Sequence, residues 1–153
     1  MASLDPTFHL ERFNIHREHE ELIAQLDQLD AALDQLFCFA EIFTDLATAN
    51  QATASGKWLC EWLPTHYAHE ETTVLATMAQ MGPELASFAR EMMRQHNEMR
   101  VRLESFREHL ARLHDSRDLE NAVHELKQEG SHLTRMIRLH LAAEEKKFAS
   151  VEN

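Results

Sequence analysis

The chain has 153 residues, a formal net charge of −11, and only three glycines and three prolines. Such a length suits one compact domain over residues 1–153, and a composition rich in Ala, Leu, Glu, Gln and Arg is that of a helical protein. The negative charge disfavours nucleic acid as a partner, and no run of 18 apolar residues is present to span a membrane.

The first predicted helix begins at Asp5-Pro6, an N-cap followed by a proline at the first helical position. Its apolar stripe runs Ile15, His19, Leu22, Leu26, Leu29, Leu33, Leu36, in steps of three and four that put every side chain on one face. Residues 37–56 stay apolar and compatible with helix as far as Ser55-Gly56, so the first turn has no fixed place within them. The second stripe runs Leu59, Trp62, His66, Glu70, Val74, Met78, with Pro64 expected to kink the helix or remove one backbone bond. Gly82-Pro83 ends it and opens the third, which runs Leu85, Met92, His96, Met99, Leu103, Phe106, Leu110, Leu113 and breaks at Asp115-Ser116. The fourth runs Leu119, Leu126, Leu133, Ile137, His140, Glu144, with Phe148 beyond. No strand-like alternation competes, and four amphipathic helices with short connections predict an all-α, antiparallel up-down four-helix bundle.

Cys38 and Cys60 lie in apolar stretches and form no CxxC, which reads as two buried free thiols. The N-terminal MASLDPTFHLER lacks the basic flank and apolar run of a signal peptide. Both features are those expected of a cytoplasmic protein in a reducing compartment.

Histidine is the outlier, at eleven residues. What matters is where these residues fall. His19, His66, His96 and His140 take apolar places on the core-facing stripes, and so do Glu70 and Glu144. An unpaired carboxylate in a core costs several kcal/mol, and no Lys or Arg lies on the stripes to pair with it. A bound cation would neutralise both glutamates and accept imidazole lone pairs. Residues four apart on a helix lie roughly 5–6 Å apart at Cβ, so each His-x-x-x-Glu can serve one ion together. Four histidines and two carboxylates exceed the four ligands of a structural zinc site and suit two ions bridged by carboxylate. Mixed nitrogen and oxygen ligation points to iron, ahead of manganese or zinc.

A half-repeat runs through this pattern. His19 precedes His66 by 47 residues and His96 precedes His140 by 44, each half supplying one histidine and then a His-x-x-x-Glu. Two such halves would share a pseudo-twofold axis. Other motifs do not fit: one Glu-x-x-His (Glu129 to His132) lies off the stripe, and HExxH, GxGxxG and P-loop patterns are absent. His9, His109, His114, His124 and His132 read as surface residues. Glu71 and Glu145 read as solvated or as supports behind the ligands. An inward histidine or one His-x-x-x-Glu, taken alone, is commonly a hydrogen-bonded core residue or a solvated helix pair. Their combination in one phase is what points to metal.

EHEEL at 18–22, HYAHEE at 66–71, RQHNEMR at 94–100 and HLAAEE at 140–145 together resemble the hemerythrin family, in its HHE cation-binding branch, from about residue 10 to 150. The resemblance implies a four-helix bundle around a non-haem di-iron centre with an oxygen bridge. It implies terminal ligands at His19, His66, His96 and His140, and bridging carboxylates at Glu70 and Glu144. Oxygen-carrying members have a second histidine on the third helix, where this chain has Met92 and Arg100, and His-x-x-x-x-Asp on the fourth, where it has His-x-x-x-Glu. Those departures point away from reversible carriage, toward reaction or sensing. His16, one turn before His19, is a candidate fifth imidazole, and His69 a weaker one.

The expected function is a di-iron protein whose partner is a small diatomic gas or peroxide, acting as a monomer or weak homodimer. An iron-binding or iron-sensing module without turnover and a metal-free structural bundle are the alternatives.

Overall fold

The computed structural model describes residues 5–39, 46–115 and 117–152. Four long helices carry the architecture: α1 (Pro6–Phe39), α2 (Leu46–Thr72), α4 (Pro83–Asp115) and α5 (Leu119–Glu152). One five-residue helix, α3 (Val74–Met78), continues the course of α2. Around the bundle, α1 packs on α2 and α5, and α4 packs on α2 and α5, the arrangement of an antiparallel four-helix bundle.

The helix ends follow local chemistry. The Asp5 carboxylate accepts the Thr7 amide at 3.0 Å, the N-cap expected of Asp5-Pro6. Asp118 does the same for α5, accepting the Asn121 amide at 3.1 Å. The break expected at Asp115-Ser116 falls where α4 ends at Asp115, with Ser116 outside the described residues. Within the open 37–56 interval, α1 runs to Phe39 and α2 is already helical from Leu46. Ser55-Gly56 is therefore inside a helix. A Cβ on Gly56 would stand 2.6 Å from a methyl of Leu110 and 3.1 Å from the Phe106 ring, so glycine lets α2 approach α4. Pro64 does not interrupt α2.

The break comes at Thr73 instead (φ −117°, ψ −90°). The hydroxyls of Thr72 and Thr73 donate back to the carbonyls of Ala68 and His69, and the Thr73 amide splits between His69 O at 3.1 Å and Glu70 O at 3.3 Å. Such back-bonding competes with the helical ladder and bends it. The bend turns Val74, Leu75 and Met78 into the core.

Gly82 has φ +126°, a conformation essentially reserved for glycine, and a Cβ there would meet nothing within 4 Å. Gly82→Ala should therefore destabilise through the backbone alone, by about 1–3 kcal/mol, or roughly 2–10 °C in Tm. Thermal unfolding checks this, and an unchanged Tm would contradict it.

The predicted stripes are the core. Ile15, Leu22, Leu26, Leu29, Leu33 and Leu36 of α1, Met92 through Leu113 of α4, and Leu126, Leu133, Ile137 and Phe148 of α5 are buried, while Trp62, Leu85 and Leu119 pack partly buried against them. The apolar core has two bodies. A larger one holds Leu22 to Leu36, Leu63, Tyr67, Met99 and Leu141; a smaller one holds Phe8, Ile15, Val74, Leu75, Met78, Met92 and Phe148. On every long helix the inward His and Glu sit between residues of these two bodies. The polar layer is thus enclosed above and below by hydrocarbon. Of the two thiols expected to be buried, Cys60 is, but Cys38 is exposed, because it lies just past the last stripe residue, Leu36.

Candidate metal centre

Each long helix contributes to this layer from the predicted stripe position. His19 comes from α1, His66 and Glu70 from α2, His96 from α4, His140 and Glu144 from α5, and none is more than 2 % exposed. The Nε2 atoms of His19 and His66 lie 2.7 and 2.6 Å from Glu70 Oε1, and that of His96 lies 3.2 Å from Glu70 Oε2. His140 Nε2 contacts Glu144 Oε1, and the Nε2 atoms of His96 and His140 are 3.0 Å apart. Two groups of potential ligand atoms result, each within a 4.8 Å span: His19, His66 and Glu70, and Glu70, His96, His140 and Glu144. Glu70 belongs to both.

Behind the imidazoles lies a second ring of contacts. Each Nδ1–H donates outward: His19 to Glu145 at 2.7 Å, His66 to Glu18 at 2.5 Å, His96 to Glu71 at 3.0 Å and His140 to the Gln95 side-chain oxygen at 2.8 Å. An acceptor at Nδ1 turns Nε2 inward, the nitrogen that metal-ligating histidines of this arrangement offer to a cation. Aromatic rings hold the imidazoles in plane: Tyr67 stacks on His96 at 4.0 Å between centroids, Trp62 on His66 at 4.9 Å, and Phe148 on His19 at 6.5 Å.

The electrostatics of the layer are strained. Burial pushes the His19 and His66 imidazoles down, but hydrogen bonds to Glu145, Glu18 and Glu70 overcome it, raising His19 to about 10 and His66 to about 9. Burial dominates at His140, which falls to about 4. Burial also pushes Glu70 up, yet three histidines hold it well below the usual carboxylate range. Glu144 is driven well above that range by burial and by the neighbouring Glu70 charge. His66 Nε2, Glu70 Oε2 and both Glu144 oxygens have no hydrogen bond of ordinary geometry, though each is fully buried. Orphaned atoms of this kind are costly. They converge on the centre, and a cation among them would satisfy all four, so the donor set fits metal.

A family profile of the Hemerythrin HHE cation binding domain matches residues 12–151. The chain belongs to that family. No curated protein and no solved structure matches it. The HHE domain binds metal cations, and in this chain the buried His/Glu groups are the residues that would hold them.

Six of the seven sequence-predicted ligands are brought together in this HHE domain. The seventh, His16, stands outside both groups, its side chain 48 % exposed, with Nδ1 3.1 Å from Glu145 and Nε2 3.3 Å from Glu20. His69 also lies outside, between Glu18 at 3.0 Å and Glu11 at 3.2 Å. Met92 is buried in the smaller apolar body, and Arg100 reaches outward to Glu71. His9, His114, His124 and His132 are exposed and His109 half-buried. Sequence reasoning placed Glu71 and Glu145 as solvated or supporting, and they support His96 and His19. It missed Glu18 and Gln95. The signal was present, since each immediately precedes a stripe histidine in the two halves of the repeat.

The raised histidines make a pH prediction for protein freed of metal by chelation. Between the unfolded value of 6.5 and the folded values of about 9 and 10, the folded chain holds protons on His66 and His19 that the unfolded chain has lost. Stability from these two groups is complete below pH 6.5 and disappears as pH rises through 9–10. His140 acts oppositely and removes stability as pH falls from 6.5 to about 4. The Tm of chelated protein should therefore peak near pH 6 and fall by several degrees toward pH 9.5. A Tm that rises over that interval would refute the assignment.

Proposed function

We propose that the layer holds two iron ions, with manganese or zinc as lesser occupants, and that the centre binds or reacts with a small oxidant: dioxygen, peroxide or nitric oxide. The observation that carries this reading is the pair of overlapping ligand groups sharing Glu70. Four imidazoles and two carboxylates distributed over two groups are too many for one tetrahedral site and suit a pair of octahedral ions with positions to spare. Two iron ions held by these residues would supply paired one-electron redox chemistry to a small molecule bound beside them.

The chain's own residues do the rest. Glu70 ties the two groups together. The outward Nδ1 bonds hold each ring in place, and the apolar bodies on either side keep water out. Met92 and Arg100 stand where an oxygen carrier has a further histidine, which leaves fewer protein ligands and favours reaction or sensing over carriage. Beside the layer, between α4 and α5, a groove of about 250 Å³ is lined by Met99, Met136, Leu139 and Ala143 together with Arg94, Gln95, Glu98 and His140. Its apolar floor suits an uncharged small molecule.

The test is metal analysis with a visible spectrum of protein reconstituted with iron. About two ions per chain are expected, and fewer than half an ion would end the di-metal reading. Peroxide turnover and spectral change on mixing with nitric oxide separate a reacting centre from an iron-sensing module that only holds metal.

A further inference from the structure

Of the rings packed on the inward histidines, the one on His66 begins a column that leaves the layer. Trp58, Trp62 and His66 follow one another at four-residue steps on α2, so a single helix face stacks them. The Trp58 and Trp62 centroids are 5.0 Å apart with their planes at 17°, and those of Trp62 and His66 are 4.9 Å apart at 11°. Aromatic faces attract at this spacing, which holds the column in register. It also crosses from solvent to core: Trp58 and Trp62 are half-buried, whereas His66 is buried. They are the chain's two tryptophans.

Among the described residues, the other imidazoles have no such column. Phe148 stacks on His19, and a benzene ring is far harder to oxidise than indole. Tyr67 lies against His96 and His140, but it is buried and its hydroxyl donates to the Met99 sulfur at 3.0 Å. A phenol gives up an electron readily only when its proton can leave with it, and a thioether is a weak acceptor. A half-buried indole keeps part of its surface in water, which can take its proton.

We propose that Trp62 and Trp58 form a one-electron route between the layer and the surface, and that their indoles complete the reduction of peroxide when the metal supplies too few electrons. The proposal rests on the reaction with peroxide put forward above. Reduction of hydrogen peroxide to two waters takes two electrons and two protons. Where one electron comes from bound ferrous iron, Trp62 gives the second. Its indole proton and one from solvent supply the protons, the O–O bond breaks, and Trp62 is left as a neutral radical. An electron and a proton then pass from Trp58 to Trp62, which moves the radical outward. A thiol in solution returns a hydrogen atom to Trp58, and the thiyl radicals couple to a disulfide. The oxidising equivalent thus ends outside the core, away from Tyr67 and Met99.

The experiment gives full-length protein, loaded anaerobically with limiting Fe(II), one addition of hydrogen peroxide without thiol. Freeze-quenched samples are read by electron paramagnetic resonance. Parallel samples are opened to air, digested and mapped for oxygen added at each residue. An organic radical whose signal narrows with ring-deuterated tryptophan is expected, with oxygen adducts at Trp58. Trp62→Phe keeps a ring against His66 but removes the indole, so adducts at Trp58 should be lost and oxidation should move to Tyr67 and Met99. Trp58→Phe should hold the adducts at Trp62. Circular dichroism and iron content are measured for each variant, and adducts are counted per iron bound. Zinc-loaded protein given the same peroxide should show no adduct on either tryptophan. Adducts at Trp58 that persist in Trp62→Phe or in the zinc-loaded protein would reveal attack from solution and overturn the proposal. Peroxide consumed by iron-loaded protein with no radical or adduct on either tryptophan would also overturn it, while leaving the proposed function standing. Protein that takes up no iron, or that leaves peroxide unconsumed when loaded, would overturn both.

Discussion

Glu70→Ala is expected to strip the protein of both ions. Glu70 is the one side chain common to the two ligand groups, with three imidazole nitrogens within 3.2 Å of its oxygens. Its removal deprives each position of an anionic ligand and leaves three buried histidines without their shared partner. The measurement is iron per chain by elemental analysis after reconstitution and desalting, expected to fall from about two to near zero. Glu144 joins only the second group, so Glu144→Ala should retain one ion. His19→Ala should retain one ion in the second group. His16→Ala should retain both, because His16 touches Glu145 and Glu20 and lies outside both groups. If Glu70→Ala keeps two ions while His16→Ala loses them, the centre has been built from the wrong residues.

Chelation should lower thermal stability substantially at neutral pH. Each ion present at a hundredfold excess over its dissociation constant stabilises the fold by about 2.7 kcal/mol. For a chain of this size that is roughly 5–10 °C in Tm per ion. The orphaned oxygens of Glu70 and Glu144 explain the direction, since without a cation the buried carboxylates face each other and the histidines with unmet hydrogen-bonding capacity. Differential scanning calorimetry of loaded and verified metal-free samples checks this. Equal melting curves would mean that the layer is self-sufficient, as a metal-free structural bundle requires.

The four long helices and the six inward His and Glu residues were legible because one signal carried both. A core-facing stripe announces itself by its period, and a histidine or glutamate in phase with that period stands out against leucine. What escaped had no period to betray it. The break at Thr73 depends on two adjacent hydroxyls turning back onto carbonyls, a choice made against the ladder of a single turn. Gly56 reads as a turn residue by composition, yet its reason lies in the approach of Leu110 from another helix. Cys38 sits among apolar neighbours but two residues past Leu36, about half a turn round the helix, so its local sequence says buried while its helical phase says exposed. Glu18 and Gln95 flank the stripe instead of lying on it. Aligning the two halves of the repeat residue by residue, and not only at their ligands, would have paired them.

Among the described residues, the groove between α4 and α5 faces a counterpart on the opposite side of the bundle with a different lining. The corresponding surface near α1 and α2 is lined by Asn14, Arg17, Glu18, Glu20, Glu21 and His69, all polar or charged, whereas the α4–α5 side sets Met99, Met136, Leu139 and Ala143 among Arg94, Gln95, Glu98 and His140. A molecule that carries a tight water shell, such as an anion, must shed it to settle against Met99 and Leu139, whereas a weakly hydrated neutral one sheds almost nothing. The two faces thus differ in what dehydration costs a solute that settles on them.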